Sequence, residues 1–429
     1  MRKFNIILFG IDTLRADHLG CYGHYRSTSP NIDNLAKTGV RFARCFSQAP
    51  KTAPSFMSIM TSRYPTYHGI TSNIGPAARR GRVYQLDKKI PTIAEILKSQ
   101  GYRTGAFTDG ANLYAEIGFG RGFDYYASHR NYSNRNKMPG VIPEDEIKYW
   151  IRENAKENFF LFFHTFAAHN PWAVPHPYPN MFAPDYGGKL RVSPEFIGSL
   201  GQKTKRSPRM FFLDKVDVSN FKDIRYLKDI YDGAIKYVDD FIGNIIRLLA
   251  ELKLDKETIL VFTADHGEEF MDHGNLSHRQ LYNELLHVPL IIKSPKMKGG
   301  VVINQTVRSI DIAPTVLGLL RIRPKASFQG VSLLDAANKN LGLPAIAEEE
   351  NLGFSIIEND YKFIHPLYRH GARTDELYDL AADPKEKSNI IFENLDKASS
   401  LIGKFDYELH KKTAVEHAIR KILYISKNK

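Results

Sequence analysis

Asn5-Ile6-Ile7-Leu8-Phe9-Gly10-Ile11-Asp12 is an apolar run that stops on a carboxylate. A short, unbroken run of this kind reads as a strand covered on both faces, as in a parallel sheet. Phe159–Phe163, Ile259–Thr263 and Pro289–Ile292 have the same character. Helical patterns lie between them, among them Pro91–Gln100, Ile224–Leu252 and Ile312–Leu320. The alternation predicts an α/β chain built on a mostly parallel central sheet. Ligands of such sheets gather at the carboxyl ends of the strands. Asp12 directly follows the first run, and Asp265-His266 directly follow the third. Groups from opposite ends of the chain are thus expected to meet in space.

The composition suits a folded domain. Of 429 residues, 43% are hydrophobic and 25% charged, which excludes disorder as the default and allows a sizeable core. The net charge of +12 suggests an anionic substrate or surface. Lys and Arg are spread along the chain, with only short clusters at Lys203–Arg209 and Lys411–Lys412, so no specific nucleic-acid partner is expected. The two cysteines, Cys21 and Cys45, are too few for a disulfide framework and read as reduced thiols. Met1-Arg2-Lys3 leads into a strand with neither a long apolar core nor a small-residue cleavage site. A cytoplasmic location is expected. No stretch approaches the roughly 18 apolar residues of a membrane span, so none is expected.

After about residue 340 the pattern changes. Ala345–Ala347, Phe354–Ile357, Tyr361–His365 and Glu376–Leu380 read as short strands, and a polar helix is expected from about Asn394 to Lys427. The division predicted is a catalytic domain over 1–340 and a C-terminal subdomain over 341–429, a small antiparallel sheet with a terminal helix. Segments 129–143 and 174–215, rich in Pro, Gly, Asn and basic residues, are expected to be surface loops that shape the substrate mouth.

Three features carry chemistry. Asp12 and the Asp265-His266 pair, taken singly, read as a helix cap and a turn; together at two strand ends they suit a divalent cation. Gln48-Ala49-Pro50-Lys51-Thr52-Ala53-Pro54-Ser55 precedes the apolar stretch Phe56–Thr61. It reads as a helix start capped by Thr52 or Ser55, or as a hydroxyl placed where free N–H groups bind an oxyanion. The third feature is the histidines: His169 ends the segment from His164, and His273 and His278 follow the Asp-His pair. A histidine near a metal centre can bind an anionic ester and protonate its leaving group.

The order of motifs resembles the sulfatase family of the alkaline phosphatase superfamily. Ile11-Asp12-Thr13-Leu14-Arg15-Ala16-Asp17-His18-Leu19-Gly20-Cys21-Tyr22-Gly23 and Thr28-Ser29-Pro30-Asn31-Ile32-Asp33 are similar to its opening. Met60-Thr61-Ser62-Arg63-Tyr64-Pro65 with His68-Gly69 resembles the end of its nucleophile helix, and Thr263-Ala264-Asp265-His266-Gly267-Glu268-Glu269-Phe270 its second metal motif. Leu281-Tyr282-Asn283-Glu284, Val288-Pro289-Leu290-Ile291-Ile292, Asp311-Ile312-Ala313-Pro314-Thr315 and Glu376–Pro384 follow in family order. The resemblance implies an alkaline-phosphatase-like three-layer fold with a small C-terminal antiparallel sheet. It implies one divalent ion, Mn or Ca ahead of Mg or Zn, held by Asp12, Asp265, His266 and the nucleophile. Thr52 stands at the nucleophile position. Asn73, His169 and His278 stand where related phosphonate and phosphate-diester hydrolases bind substrate oxygens or protonate the leaving group, with Arg279 as a substitute for the cationic role of His278.

The departures bear on the chemistry. Sulfatases carry Cys or Ser followed by x-Pro-x-Arg, and oxidise the first residue to formylglycine. Here Thr52-Ala53-Pro54-Ser55-Phe56 replaces that run, and Thr13 stands where many members have a further metal-binding Asp. Thr108-Asp109-Gly110-Ala111-Asn112 lacks the family's Gly-Lys motif. Threonine already bears a methyl on Cβ, so it cannot become that aldehyde. A threonine ester is released only by attack on phosphorus or sulfur, which favours phosphodiesters or phosphonates over sulfate esters. The expected substrate is a small anionic ester, with a sugar-linked one among the options. The alternatives are an inactive binding module of the same fold, a sulfuric ester hydrolase without formylglycine, and a phosphoryl-linked group transferase.

Overall fold

The computed structural model describes residues 4–73, 85–110, 112–128, 140–192, 212, 214–323, 325, 327–334, 336, 339, 341–367 and 375–409. Ten strands come first: β1 (Asn5–Ile11), β2 (Val40–Phe46), β3 (Arg103–Thr108), β4 (Tyr125–Ser128), β5 (Phe159–Thr165), β6 (Thr258–Ala264), β7 (Glu269–Phe270), β8 (Leu276–Ser277), β9 (His287–Lys293) and β10 (Val301–Arg308). Eight of them form one sheet in the order β10-β2-β9-β6-β1-β5-β3-β4, and β7 and β8 pair separately. Only β9 runs against the others in the large sheet. Every residue of β1, β5 and β6 is buried. Each fully buried Phe, Ile or Leu contributes roughly 1.5–3 kcal/mol, so this apolar centre dominates the stability of the fold.

Helices cover both faces. Successive side chains of a strand point to opposite sides. On β5, Phe163 meets Phe241 of the long helix Phe221–Glu251 at 4.6 Å between ring centroids, while Phe162 meets Phe56 of α2 (Thr52–Thr61) at 5.7 Å on the other face. α1 (Pro30–Thr38) and Glu144–Glu153 pack with the long helix; Ile93–Ser99 and Ile312–Leu319 pack with α2. The three layers match the expected fold class. Asn220 caps the long helix, its side chain accepting from the Lys222 N–H. Among the described residues no helix is long and apolar enough to cross a membrane.

A second sheet follows: β11 (Ala345–Glu349), β12 (Gly353–Glu358), β13 (Tyr361–Pro366) and β14 (Glu376–Asp379), antiparallel and in sequence order. The segment 395–409 is helical and sets Ala398, Leu401 and Leu409 against Ile346, Ile356, Phe363 and Leu377 of the sheet. The remainder of the helix expected to reach Lys427 lies outside the described residues, as do 129–139 and most of 193–213 in the two expected loops. The described part of the second loop, 174–192, is irregular apart from a turn of 3-10 helix at Tyr178–Asn180.

Candidate active site

The site begins as a consequence of register. Ile11 pairs with Ala264 on β6 and with Thr165 on β5. Asp12, the Asp265-His266 pair and the segment 166–169 therefore leave the sheet side by side. Asp12, Asp265 and His266 are fully buried, and one ligand atom from each lies within 4.8 Å of the other two. Thr13 turns the chain here with a left-handed φ of 57°. Its N–H donates to Asp265 Oδ1 at 3.0 Å, its carbonyl accepts from the Tyr231 hydroxyl at 2.7 Å, and its own hydroxyl donates to the Ala168 carbonyl at 2.7 Å. Thr13 thus braces the carboxylates through its backbone.

The cluster fits a divalent cation. Asp265 Oδ1 accepts from the N–H groups of Thr13 and His266, whereas buried Oδ2 has no hydrogen-bond partner and lies 3.4 Å from His266 Nε2. His266 Nδ1 is 2.9 Å from the Gly267 carbonyl, which only accepts. That places the ring proton on Nδ1 and the lone pair on Nε2, facing Asp265. Burial, and then the neighbouring Asp12, push the Asp265 carboxyl well above the usual range. A lone pair and two carboxylates held together out of water repel one another until a cation sits among them. Two oxygen donors with one imidazole nitrogen suit Mn, Mg, Ca or Zn.

Thr52 opens α2 at the same edge, and its side chain is buried. The first turn of the helix is fixed at three points. The Ala53 N–H donates to Asn73 Oδ1 at 2.9 Å, the Ser55 hydroxyl donates to the Asp265 carbonyl at 2.7 Å, and the Ser47 hydroxyl lies 2.8 Å from that of Ser55. Thr52 and Asn73 therefore share the helix N-terminus, where partial positive charge favours an anion. The α2 layer sits close on the sheet because Gly10 has no side chain: a Cβ there would lie 2.5 Å from the Phe56 ring. Phe56, at the position of the family's arginine, packs edge-on against His164 at 5.0 Å and forms an apolar floor.

The histidines close the other side. The His278 ring lies 4.7 Å from that of His266 and 5.5 Å from that of His169. His169 Nδ1 is 2.7 Å from the Asn170 carbonyl, which leaves Nε2 as the outward nitrogen. Buried His278 thus joins the cluster, while the side chain of Arg279 is exposed and its backbone N–H donates to Glu269. His273 is engaged elsewhere, 2.5 Å from Glu284 and 3.0 Å from the Glu386 carbonyl. Three neighbours escape a reading of the sequence. His164 Nε2 lies 3.3 Å from Asp12 Oδ2, and burial lowers its pKa to about 4. Lys51 Nζ donates to the His278 carbonyl at 2.5 Å. Glu268 accepts from the Asn170 amide at 3.1 Å and approaches His278 Nδ1 at 3.6 Å. The spacing of His164 two residues after Phe162 puts both on the face of β5 that meets α2, the one signal available for it.

A family profile described as Sulfatase matches residues 4–322. The chain belongs to the sulfatase family. An ulvan-active sulfatase of Formosa agariphila is 27% identical to it, over 96% of this chain and 81% of the relative. An N-acetylglucosamine-6-O-sulfatase of Bacteroides thetaiotaomicron is 23% identical, over 91% and 83%. The phosphonate monoester hydrolase of Agrobacterium radiobacter shares the fold with a TM-score of 0.74 at 21% identity, covering 96% of each chain. A structure solved with its substrate D-glucosamine-2-N,6-O-disulfate has a TM-score of 0.75 at 22% identity, covering 96% and 98%. This sulfatase-family chain is accordingly a sulfatase-like ester hydrolase. The family is metal-dependent, in keeping with the buried carboxylate and imidazole donors.

Proposed function

We propose that the chain cleaves a small anionic ester linked to a sugar, with Thr52 as nucleophile and with phosphodiesters or phosphonates preferred to sulfate esters. The observation that supports this reading is the tie between the α2 N-terminus and the end of β6: the Ser55 hydroxyl donates to the Asp265 carbonyl and the Ala53 N–H to Asn73, in the helix turn that Thr52 begins, while Asp265 clusters with Asp12 and His266. The substrates named for sugar-sulfate relatives support the sugar, and the threonine supports phosphorus.

In this mechanism Asn73 and the first turn of α2 orient the ester oxygens, and buried His278 and His169 stand on the leaving-group side. Asp12, Asp265 and His266 would hold a divalent ion, with the Thr52 hydroxyl as the further expected ligand, and it would offset negative charge on the ester and favour ionisation of that hydroxyl. Thr52 Oγ attacks phosphorus, and the leaving oxygen departs with a proton from His278 or His169. Water then attacks the Thr52 ester at phosphorus and frees the hydroxyl. A formylglycine hydrate would instead expel its anion by returning to the aldehyde, a route closed to threonine.

Comparing an aryl phosphodiester with the matching aryl sulfate on one Mn-loaded preparation tests the proposal. Faster phosphodiester hydrolysis, lost in Thr52→Ala and in Asp12→Ala, supports it. Faster sulfate hydrolysis makes the chain a sulfuric ester hydrolase without formylglycine, and cation binding with no turnover of either makes it a binding module.

A further inference from the structure

A cavity of about 790 Å³ lies between the loop after β1, the N-terminal half of the helix Phe221–Glu251, the segment 272–287 and the loop near Lys385. Its lining includes none of Asp12, Thr52, Asn73, His169, Asp265, His266 or His278. Its charges are arranged unevenly. Asp272 is 2.8 Å from Arg15 and 3.3 Å from Lys228, and its backbone carbonyl accepts from Lys387. Asp232 is 2.6 Å from His18, 3.1 Å from His24 and 2.7 Å from Arg26. Arg15 also pairs with Asp17 at 2.7 Å and Arg26 with Asp229 at 2.6 Å, and in all seven Arg and Lys side chains line the cavity against five Asp and Glu. Arg26 on the same carboxylate also disfavours a metal ion between His18, His24 and Asp232, despite the closeness of their ligand atoms. Arg225 and Lys385, both exposed on the wall, have no ion pair among the described residues. Tyr25, 80% exposed, lines the same cavity with the Arg26 guanidinium 5.1 Å from its ring centroid.

We propose that this cavity binds an oligosaccharide bearing anionic groups, through residues other than those assigned to the ester being cleaved. Its size falls within the roughly 300–1,000 Å³ of small-ligand sites. Arg and Lys side chains donate charge-assisted hydrogen bonds to sulfate, phosphate or carboxylate, and the Tyr25 ring offers a flat apolar face to a sugar. The choice of a saccharide rests on the proposed sugar-linked substrate. The site itself would let a longer anionic chain be held by groups other than the one that reacts.

The test is fluorescence anisotropy of the full chain, loaded with Mn, against a short labelled dextran sulfate. Neutral dextran and a single-stranded oligonucleotide of matched charge serve as comparison probes at the same ionic strength. Wild type is expected to bind dextran sulfate and not dextran. Arg225→Glu/Lys385→Glu is expected to weaken that binding about tenfold or more, with Tyr25→Ala weakening it further. Thr52→Ala is expected to bind as wild type, so a failure of the catalytic proposal leaves this readout intact. Arg152→Glu/Lys156→Glu, outside the cavity lining, makes the same change in net charge and is expected to weaken binding less than threefold. The proposal is overturned by unchanged affinity in the cavity variant, by an equal loss in the charge-matched control, by tighter binding of the oligonucleotide, or by no binding of dextran sulfate.

Discussion

At the scale of single residues the proposed chemistry turns on a hydroxyl and an imidazole. Thr52 begins a helix whose first turn is bonded to Asn73, to the Asp265 carbonyl and to Ser47, so its position is set by neighbours on three segments. Removing the hydroxyl deletes the proposed attacking atom and leaves the other three expected cation ligands, Asp12, Asp265 and His266, in place. Thr52→Ala is expected to lower kcat for an aryl phosphodiester by about a thousandfold or more, with bound metal by elemental analysis unchanged. A loss below tenfold sinks the nucleophile assignment. His278→Gln is expected to cost roughly a hundredfold with a poor leaving group such as an alkoxide, and far less with 4-nitrophenol, which departs without a proton. Equal losses across a leaving-group series would remove His278 as the acid. Asp12, Asp265 and His266 were legible in the sequence because each follows a strand that its apolar run announces. His164, Lys51 and Glu268 were not, because their roles arise only once β5, α2 and the segment after β6 are brought together.

At the scale of elements, β1, β5 and β6 were legible as unbroken apolar runs, and the four strands of the small sheet by their turns. β2 and β10 were not: Val40-Arg41-Phe42-Ala43-Arg44-Cys45-Phe46 and Val301–Arg308 mix charge into strands near the sheet's edge, where one side is partly open to water. α2 carries a dependence on pH through α3 (Pro65–His68), its neighbour. His68 Nδ1 accepts from the Ile70 N–H at 3.1 Å, so Nε2 holds the proton and faces Ser58 Oγ at 3.0 Å. Burial lowers the His68 pKa from 6.5 to about 3. A depressed value means that the unfolded chain takes up the proton first, so stability is full above pH 6.5 and declines as the pH falls toward the folded value. His68 is expected to remove about 2 kcal/mol between pH 7 and pH 5. Urea unfolding of His68→Gln at the two pH values is expected to show a decline smaller by that amount; an unchanged decline contradicts it.

Over the whole molecule, a buried ion pair joins the two sheets. Lys362 on β13 is fully buried, 2.6 Å from Glu386 and 2.9 Å from Asn283 Oδ1, and Glu386 also accepts from the Asn283 N–H at 2.7 Å. Asn283 begins the short helix that leads into β9, so the pair links the small sheet to the segment behind His278. Lys362→Met strands a buried carboxylate and is expected to cost about 3–5 kcal/mol in urea unfolding, much of it regained in Lys362→Met/Glu386→Gln. No recovery in the double variant would show that the pair contributes through packing alone. The terminal sheet is in this sense part of the frame behind His278, the proposed acid. The proposed mechanism requires that Thr52 become covalently attached to the group it attacks. Acid-quenched mass spectrometry during turnover of an aryl phosphodiester tests it most directly. A phosphoryl-ester adduct on the peptide containing Thr52, absent in Thr52→Ala, is the expected result. Turnover with no adduct in wild type and full activity in Thr52→Ala would contradict it.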